Sequence, residues 1–202
     1  MVRNLIIQVF LSVNDSKIED YPIFQINRDR WQIYCKNMGL EYMFFDDKTV
    51  EPYLGPLKDF YYGLEFVWQK IDFCRYLIIN KEGGLYVDLD IYPNKNMDIF
   101  DLLEKEYILN FWINKKGKKE ITNGMFGFEA GKLNDLILYS QEETARCRKM
   151  PIYKCWKIRF MLHTTGVRMF KRWAKKNKLV YTDNLHQYIT DEMTATWIDN
   201  FH

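Results

Sequence analysis

The sequence predicts an α/β protein in which helices flank a mostly parallel central sheet, and three observations predict it. Residues 5–10 form an almost uninterrupted apolar run, which is typical of a strand buried on both faces. A helical pattern over 23–38 separates this strand from a second one at 41–45, and such a unit places its two strands in parallel. Residues 85–87 predict a short buried strand that ends in acidic residues, where open α/β sheets bind ligands.

The rest of the chain continues this alternation. Prolines and Gly55 predict a loop over 49–57, and residues 58–80 carry apolar residues at helical spacing, as one helix or two. The other predicted elements are helices over 97–104, 133–148 and 167–176, and strands over 107–112, 121–130 and 179–181. A length of 202 residues suits a single domain, 1–202.

Charge and composition exclude several classes of protein. The 29 basic and 27 acidic residues nearly balance, so no general field attracts nucleic acid. The apolar patch in residues 1–13 is too short to span a bilayer, and no transmembrane segment is predicted. The four cysteines lack CxxC spacing and are expected to be reduced. We expect a soluble cytoplasmic protein, with viral and bacterial sources among the options, or a catalytic piece of a longer chain.

The acidic residues Asp88 and Asp90 follow the short strand, which begins after the glycines Gly83 and Gly84. In an extended segment, residues two apart point to the same side, so both carboxylates can face one point. Two hard oxygen ligands that converge are stabilised by Mg²⁺ or Mn²⁺, and such a cation keeps coordination positions for substrate phosphates. A bare Asp-x-Asp is also common in solvated loops and in Ca²⁺-binding loops.

The segment around this pair resembles the sugar-binding Asp-x-Asp region of family 32 glycosyltransferases, a pattern shared with the large clostridial glucosylating toxins. The matching residues are DFCRY at 72–76 and GGLYVDLD at 83–90. The resemblance implies a GT-A-type fold and a hexosyltransferase that retains the anomeric configuration. Its donor would be a UDP- or GDP-sugar, and its acceptor a hydroxyl of a glycan or glycoprotein.

The same resemblance implies roles for individual residues. Asp88 and Asp90 would hold Mn²⁺ or Mg²⁺, Asp72 would accept hydrogen bonds from sugar hydroxyls, and Arg75 would reach sugar oxygens or the diphosphate. A planar guanidinium fork suits that task. Taken without the resemblance, Asp72 and Arg75 lie three apart on a helix and could form an ordinary surface ion pair. The implied donor-site residues are Gln8, Phe10, Asp72, Arg75, Gly84, Tyr86, Asn123 and Trp197.

Phe10 and Asn123 each carry an alternative interpretation. The family's opening strand usually contains His-Gln-x-Trp, and here Gln8 is kept while Ile7 and Phe10 replace the His and the Trp. Phe10 would then stack on the nucleotide base, or it is an ordinary core residue. Asn123 resembles the asparagine of a strand that faces the sugar and offers both a donor and an acceptor. With Gly124 it also forms a strong hairpin signal.

The last third of the chain offers a third metal ligand. The toxin-like pattern has Glu five residues before a Trp, which favours Glu192 before Trp197, with Asp191 and His202 as alternatives. Trp197 would cap the donor pocket or donate a hydrogen bond to the diphosphate. Upstream, His163-Thr164-Thr165-Gly166 resembles the family's Thr-Gly-Pro motif, which begins a helix under the active site. His163 itself is interpreted as a structural residue in preference to a catalytic one.

Two other functions compete with sugar transfer. Phosphohydrolases that form an aspartyl phosphate also use Asp-x-Asp with Mg²⁺, but their acids follow a first strand near the amino terminus. A non-catalytic module of the same fold could bind carbohydrate or nucleotide without turnover, since Phe10 is altered and a late His is missing.

Overall fold

A five-stranded sheet forms the centre of the protein, in a computed structural model that describes residues 1–13, 15–95, 98–114, 116–152, 156–183 and 185–192. The strands are β1 Leu5–Val9, β2 Glu41–Phe45, β3 Gly84–Val87, β4 Ile91–Pro93, β5 Tyr107–Ile113, β6 Lys119–Phe128 and β7 Ile189–Asp191. The helices are α1 Pro22–Met38, α2 Asp47–Leu54, α3 Lys58–Tyr62, α4 Val67–Glu82, α5 Phe100–Leu103, α6 Asn134–Arg148, α7 Lys157–Thr164 and α8 Val167–Lys176. Short 3₁₀ turns lie at Ile18–Asp20, Gly55–Leu57 and Leu185–Gln187.

The strand order is β2-β1-β3-β6-β5, and the predicted α/β class is confirmed. β1 pairs in parallel with both β2 and β3, whereas β6 is antiparallel to β3 and to β5. Four strands therefore point one way and β6 points the other. The predicted strand, helix, strand beginning is present as β1, α1 and β2, and Gly39 ends α1 in the left-handed conformation at φ 69°.

Side chains alternate between two cores on the opposite faces of the sheet, as expected for buried strands. Leu5 and Ile7 of β1 join a core completed by α2, α4, α6 and α8, and Ile6 joins a second core with α1 and α5. The smaller sheet, in which β4 pairs with β7, packs into this second core through Ile91 and Ile189. The carboxyl ends of β1 and β3 are thus fixed from both sides.

Two local predictions are wrong, and one strand was missed. Residues 49–57 are not a loop, because α2 occupies Asp47–Leu54. Its start is capped twice: the Asp46 carboxylate accepts the N–H of Thr49 (2.9 Å), and the Thr49 hydroxyl accepts the N–H of Asp46 (2.7 Å). Residues 179–181 form no strand, although the Thr182 N–H donates to the carbonyl of Leu109 in β5. The missed strand, β7, is too short to show alternation.

β6 leaves regular pairing where it passes the end of β3. Leu109 of β5 is opposite Phe126, but Phe111, two residues on, is opposite Ile121, so β6 uses five residues where β5 uses two. The extra residues carry Asn123 and Gly124 out of the ladder, and the Gly124 carbonyl accepts the N–H of Asp88 (2.7 Å). The Asn-Gly pair is therefore part of a bulged strand, which corrects its interpretation as a hairpin turn.

No helix in the described part of the chain is long and apolar enough to cross a membrane. Cys35, Cys74 and Cys147 are buried free thiols, and Cys155 lies outside the described residues.

Candidate active site

The turn between α4 and β3 brings the two halves of the matching segment together. α4 ends at Gly83 (φ 69°), and Gly84 follows at φ 105°. A Cβ on Gly84 would lie 2.7 Å from the Leu5 carbonyl oxygen, so glycine is needed for β3 to lie beside β1. Gly84 stands at the other end of β3 from Asp88 and is not among the residues that line the cavities described below.

Arg75 is the centre of a buried polar network. Its guanidinium lies 3.2 Å from Asp72 Oδ1 and 3.1 Å from Asp88 Oδ1, and it donates to the Asn123 carbonyl at 2.9 Å. It also packs on the Tyr86 ring, 4.5 Å from the centroid. Only 7% of the Arg75 side chain is exposed, so its pairing with Asp72 is not a surface ion pair. The Arg75 guanidinium thus joins the carboxylates of Asp72 and Asp88, which come from different elements, into one site.

Asn123 is held on the same network. Its side-chain amide donates to Asp72 Oδ1 at 2.8 Å and to the Tyr76 hydroxyl at 3.0 Å. The Tyr76 hydroxyl in turn donates to the Thr165 carbonyl at 2.7 Å. The Thr165 hydroxyl is 3.4 Å from Asp72 Oδ2. The bulge of β6 and the segment before α8 therefore both fix the Asp72 carboxylate, whose pKa is raised by its burial in spite of Arg75.

Asp88 and Asp90 face one place, although the backbone reason differs from the prediction. β3 ends at Val87, and the Ile91 N–H donates to the Asp88 carbonyl (3.1 Å), so the pair lies in a turn and not in an extended strand. Tyr86 donates its hydroxyl to Asp88 Oδ1 at 2.5 Å. Burial raises the pKa of Asp88 to about 7, against the effect of Arg75, and the charge of Asp90 adds to the increase.

Two cavities meet at these residues, with volumes of about 430 Å³ and 120 Å³. Both are lined by Trp68, Arg75, Asp88 and Asp90. The larger cavity is also lined by Asp72, Ile91, Trp112, Thr122, Asn123, Gly124, Met161, Leu162, Gly166, Val167 and Asp191. Its volume lies in the range of small-molecule sites, about 300–1,000 Å³.

The smaller cavity is aromatic. Phe10 lines it with Tyr21 and Phe24; the Phe10 and Tyr21 ring centroids are 5.8 Å apart, and Tyr21 stacks on Phe24 at 5.4 Å. Gln8 does not line it: its amide donates to the Asp88 carbonyl (3.4 Å), and Tyr42 donates to its side-chain oxygen (2.9 Å). Gln8 therefore supports the backbone of Asp88 from within the sheet.

The candidates for a third metal ligand lie at the end of β7. The Glu192 N–H donates to the Asp90 carbonyl (2.9 Å), which joins the end of β7 to the acidic turn. Asp191 lines the larger cavity, whereas the Glu192 carboxylate accepts a hydrogen bond from Asn27 (2.8 Å). Among the described residues, no three His, Cys, Asp or Glu side chains come close enough to hold a metal by themselves. Trp197 and His202 lie outside the described residues.

His163 lies between two arginines and outside the cavity. Its Nε2 is 3.2 Å from Arg168 and its Nδ1 is 3.0 Å from Arg172. Burial and the positive charge of Arg172 lower the pKa of His163 to about 4. This surrounding favours the structural interpretation. Gly166, which follows in the same motif, lines the larger cavity and begins α8, as the motif predicts.

Sequence reasoning missed two tryptophans of the site. Trp68 lies four residues before Asp72 on α4, hence on the same side of the helix, and that spacing could have revealed it. Trp112 follows the irregular part of β5, and no sequence signal places it at a cavity.

An acidic site at the carboxyl ends of the strands is what the resemblance to sugar-transferring enzymes implies, and the comparisons agree with this class. The profile of the family described as "Glycosyltransferase sugar-binding region containing DXD motif" matches residues 13–113, half of the chain. The chain belongs to this family. The matched part includes Asp72, Arg75, Asp88 and Asp90, and it confirms the resemblance on which the sequence prediction depends.

Two solved glycosyltransferases are similar to the chain. The PaToxG glycosyltransferase has a TM-score of 0.55 and 12% identity over 87% of this chain and 70% of its own, so it shares the fold. A glycosyltransferase involved in the glycosylation of the major capsid of PBCV-1 has a TM-score of 0.43 and 16% identity over 74% of this chain and 69% of its own. The expected GT-A-type fold is confirmed. A search of curated protein sequences gave no match.

Proposed function

We propose that the chain is a metal-dependent, retaining glycosyltransferase that moves a sugar from a UDP- or GDP-sugar to a hydroxyl of a glycan or glycoprotein. The observation that carries this proposal is the meeting of two cavities at Arg75, Asp88 and Asp90. A nucleotide sugar has a flat base, a diphosphate and a sugar in sequence. An aromatic cavity, a charged boundary and a larger cavity that contains carboxylates and an amide offer matching surroundings in the same order.

The carboxylates fit a divalent cation. Asp88, Asp90 and Asp191 are hard oxygen donors that line one cavity, and Mg²⁺ or Mn²⁺ bound by one or two carboxylates takes its other ligands from substrate phosphates. Burial raises the pKa of Asp88 although Arg75 lowers it, so a bound cation would favour the ionised carboxylate. Such a cation supplies positive charge that neutralises the departing diphosphate.

The chain's own residues orient the donor. In the smaller cavity Phe10 offers an aromatic face, which supports a base by stacking. In the larger cavity the Asp72 carboxylate and the Asn123 side-chain oxygen, already fixed by Arg75 and Tyr76, can accept hydrogen bonds from sugar hydroxyls. Because these groups are held before the substrate arrives, their alignment costs little when the reaction occurs.

The transfer step then depends on Arg75 and on the face from which the acceptor hydroxyl attacks. The guanidinium stands between Asp72 and Asp88 and can stabilise negative charge on the leaving diphosphate. In the retaining reaction, the acceptor hydroxyl attacks from the face that the diphosphate leaves. A diphosphate oxygen takes the hydroxyl proton, the new glycosidic bond forms and the bond to phosphate breaks. No nucleophilic side chain is required.

Calorimetric titration with UDP-glucose, UDP-N-acetylglucosamine, UDP-galactose, GDP-mannose and GDP-fucose, with and without Mn²⁺, tests the proposal. We expect Mn²⁺-dependent binding of at least one donor, followed by slow hydrolysis of its sugar–phosphate bond. Metal-dependent binding without hydrolysis or transfer would support the non-catalytic module. Binding of free glycans without nucleotide or metal would contradict the proposal.

A further inference from the structure

The side chain of Trp112 is large, apolar and partly exposed to solvent at the site. It lies near the end of β5, lines the larger cavity and is 41% exposed. Single exposed apolar residues are common on protein surfaces. An indole at the wall of a small-molecule cavity is different, because aromatic side chains at such sites provide flat contact area at low entropic cost.

The walls of the larger cavity divide by chemistry. Its charged part is shared with the smaller cavity through Arg75, Asp88 and Asp90, and this is where the proposed function places the diphosphate. The larger cavity alone is also lined by the polar residues Asp72, Asn123 and Asp191 and by a second part, which is mostly apolar. This second part consists of Trp112, Thr122, Met161, Leu162 and Val167. An acceptor that approaches the donor sugar in this cavity meets the second part.

A fixed carboxylate lies beside the indole, on a residue that is not itself among those that line the cavity. Glu120 of β6 pairs directly with Trp112 of β5, so the two side chains emerge on the same face of the sheet. Glu120 accepts hydrogen bonds from Lys171 Nζ (2.9 Å) and Asn114 Nδ2 (2.8 Å), and these bonds hold the pKa of its carboxyl below the ordinary value. Lys171 belongs to α8, which also supplies Val167 to the cavity wall.

We infer that Trp112, with Glu120 beside it, is the centre of the acceptor subsite and that this subsite takes a neutral pyranose unit of a glycan. The indole packs against the C–H face of the sugar ring, and the Glu120 carboxylate accepts hydrogen bonds from the ring's hydroxyls. A neutral sugar fits because the charge of Lys171 is balanced by Glu120. This inference depends on the proposed function, since it names the acceptor side of the same reaction.

Substitution at Trp112 separates acceptor binding from donor chemistry. In Trp112→Ala we expect kcat/KM for transfer to methyl glucoside, galactoside or mannoside to fall by about tenfold, which corresponds to about 1.4 kcal/mol. Donor hydrolysis without acceptor should fall by a smaller factor than transfer does, because Trp112 touches the acceptor and not the diphosphate. Trp112→Phe should recover part of the transfer, because a smaller aromatic face remains. The matched control is Ile113→Ala, the next residue of β5, which is 59% exposed and is not among the residues that line either cavity.

A binding measurement covers glycosides that are not used as acceptors. In the full chain with UDP and the diamagnetic Mg²⁺, titration of the same methyl glycosides should shift the indole N–H resonance of Trp112, which is assigned by its loss in Trp112→Phe. No shift with any of the glycosides would overturn the inference, and so would equal transfer by Trp112→Ala and Ile113→Ala. A parallel loss of donor hydrolysis in Trp112→Ala would also overturn it. Failure of the wild-type chain to hydrolyse any donor would instead contradict the proposed function.

Discussion

The two cavities differ in what their walls can recognise. The smaller one presents the rings of Phe10, Tyr21 and Phe24, whereas the larger one presents carboxylates, an amide and an apolar wall. An aromatic wall tolerates many flat partners, and a fixed set of charges selects for geometry. Under the proposed function, affinity for the nucleoside and chemistry on the sugar would therefore be handled in separate places, with Arg75 and Asp88 at the boundary.

The sheet explains why the cavities adjoin. Phe10 follows β1 and Asp88 follows β3, and these neighbouring strands run parallel. Their carboxyl ends therefore meet at one edge, which is where α/β sheets bind ligands. Between them Gln8 of β1 donates to the Asp88 carbonyl, so the aromatic and acidic sides share one support. Substitutions at the boundary and in each cavity should then have different effects.

The largest effect is expected at the boundary. Arg75→Ala removes the guanidinium between Asp72 and Asp88. It should lower the free energy of unfolding by about 3–5 kcal/mol, which is the usual cost of leaving a buried charge without its partner. Donor hydrolysis should be lost as well. Urea unfolding and a hydrolysis assay measure the two effects.

The control for Arg75 is an exposed arginine. Arg3 pairs with Glu41 at 2.6 Å, and its side chain is 41% exposed. Arg3→Ala should cost about 1 kcal/mol or less, because exposed ion pairs contribute little. Equal losses in the free energy of unfolding for the two variants would show that the buried network around Arg75 stabilises the fold no more than an exposed ion pair does.

An intermediate effect is expected at the end of β7, in the larger cavity. The sequence pattern favoured Glu192 as the third ligand, whereas Asp191 lines the cavity and Glu192 is bound to Asn27. Asp191→Asn should weaken Mn²⁺ binding by about tenfold, as removal of one supporting carboxylate commonly does. Glu192→Gln should change it less. Mn²⁺ titration followed by electron paramagnetic resonance compares them, and a larger effect of Glu192→Gln would return the role to Glu192.

The smallest effect is expected in the aromatic cavity. Phe10→Ala should raise the Kd of UDP or GDP by about fivefold, equivalent to about 1 kcal/mol of stacking, since Tyr21 and Phe24 remain. Mn²⁺ affinity without nucleotide should be unchanged, because Phe10 contributes no oxygen ligand. Calorimetry with each partner separately checks both. An unchanged nucleotide Kd would support Phe10 as an ordinary core residue.

The parts that the sequence could predict are those with local signals. The apolar run of β1, the helical spacing of α1 and the Gly-Gly turn before β3 depend on neighbouring residues, and the predicted fold class followed from them. Asp72, Arg75, Asp88 and Asn123 were brought together as the resemblance implied. The helix at α2 was missed because the Asp46 and Thr49 cap outweighed the signal of Pro52.

Other parts depend on contacts between distant segments. Asp191 reaches the cavity only because a three-residue strand pairs with β4, about a hundred residues earlier in the chain. Trp112 stands at the cavity because β5 and β6 lose their register between Leu109 and Phe111. Neither pairing leaves a periodic pattern in the sequence, so tertiary structure was needed to find them.

The central claim is that Asp88 and Asp90 hold the cation that binds the donor's diphosphate. Its most direct test is Mn²⁺-dependent donor hydrolysis by a double variant, Asp88→Asn with Asp90→Asn. The variant is compared with the wild-type chain under conditions in which both chains are equally folded. The variant should fold, keep the smaller, aromatic cavity and lose hydrolysis at every Mn²⁺ concentration. Undiminished Mn²⁺-dependent hydrolysis by the double variant would contradict the claim.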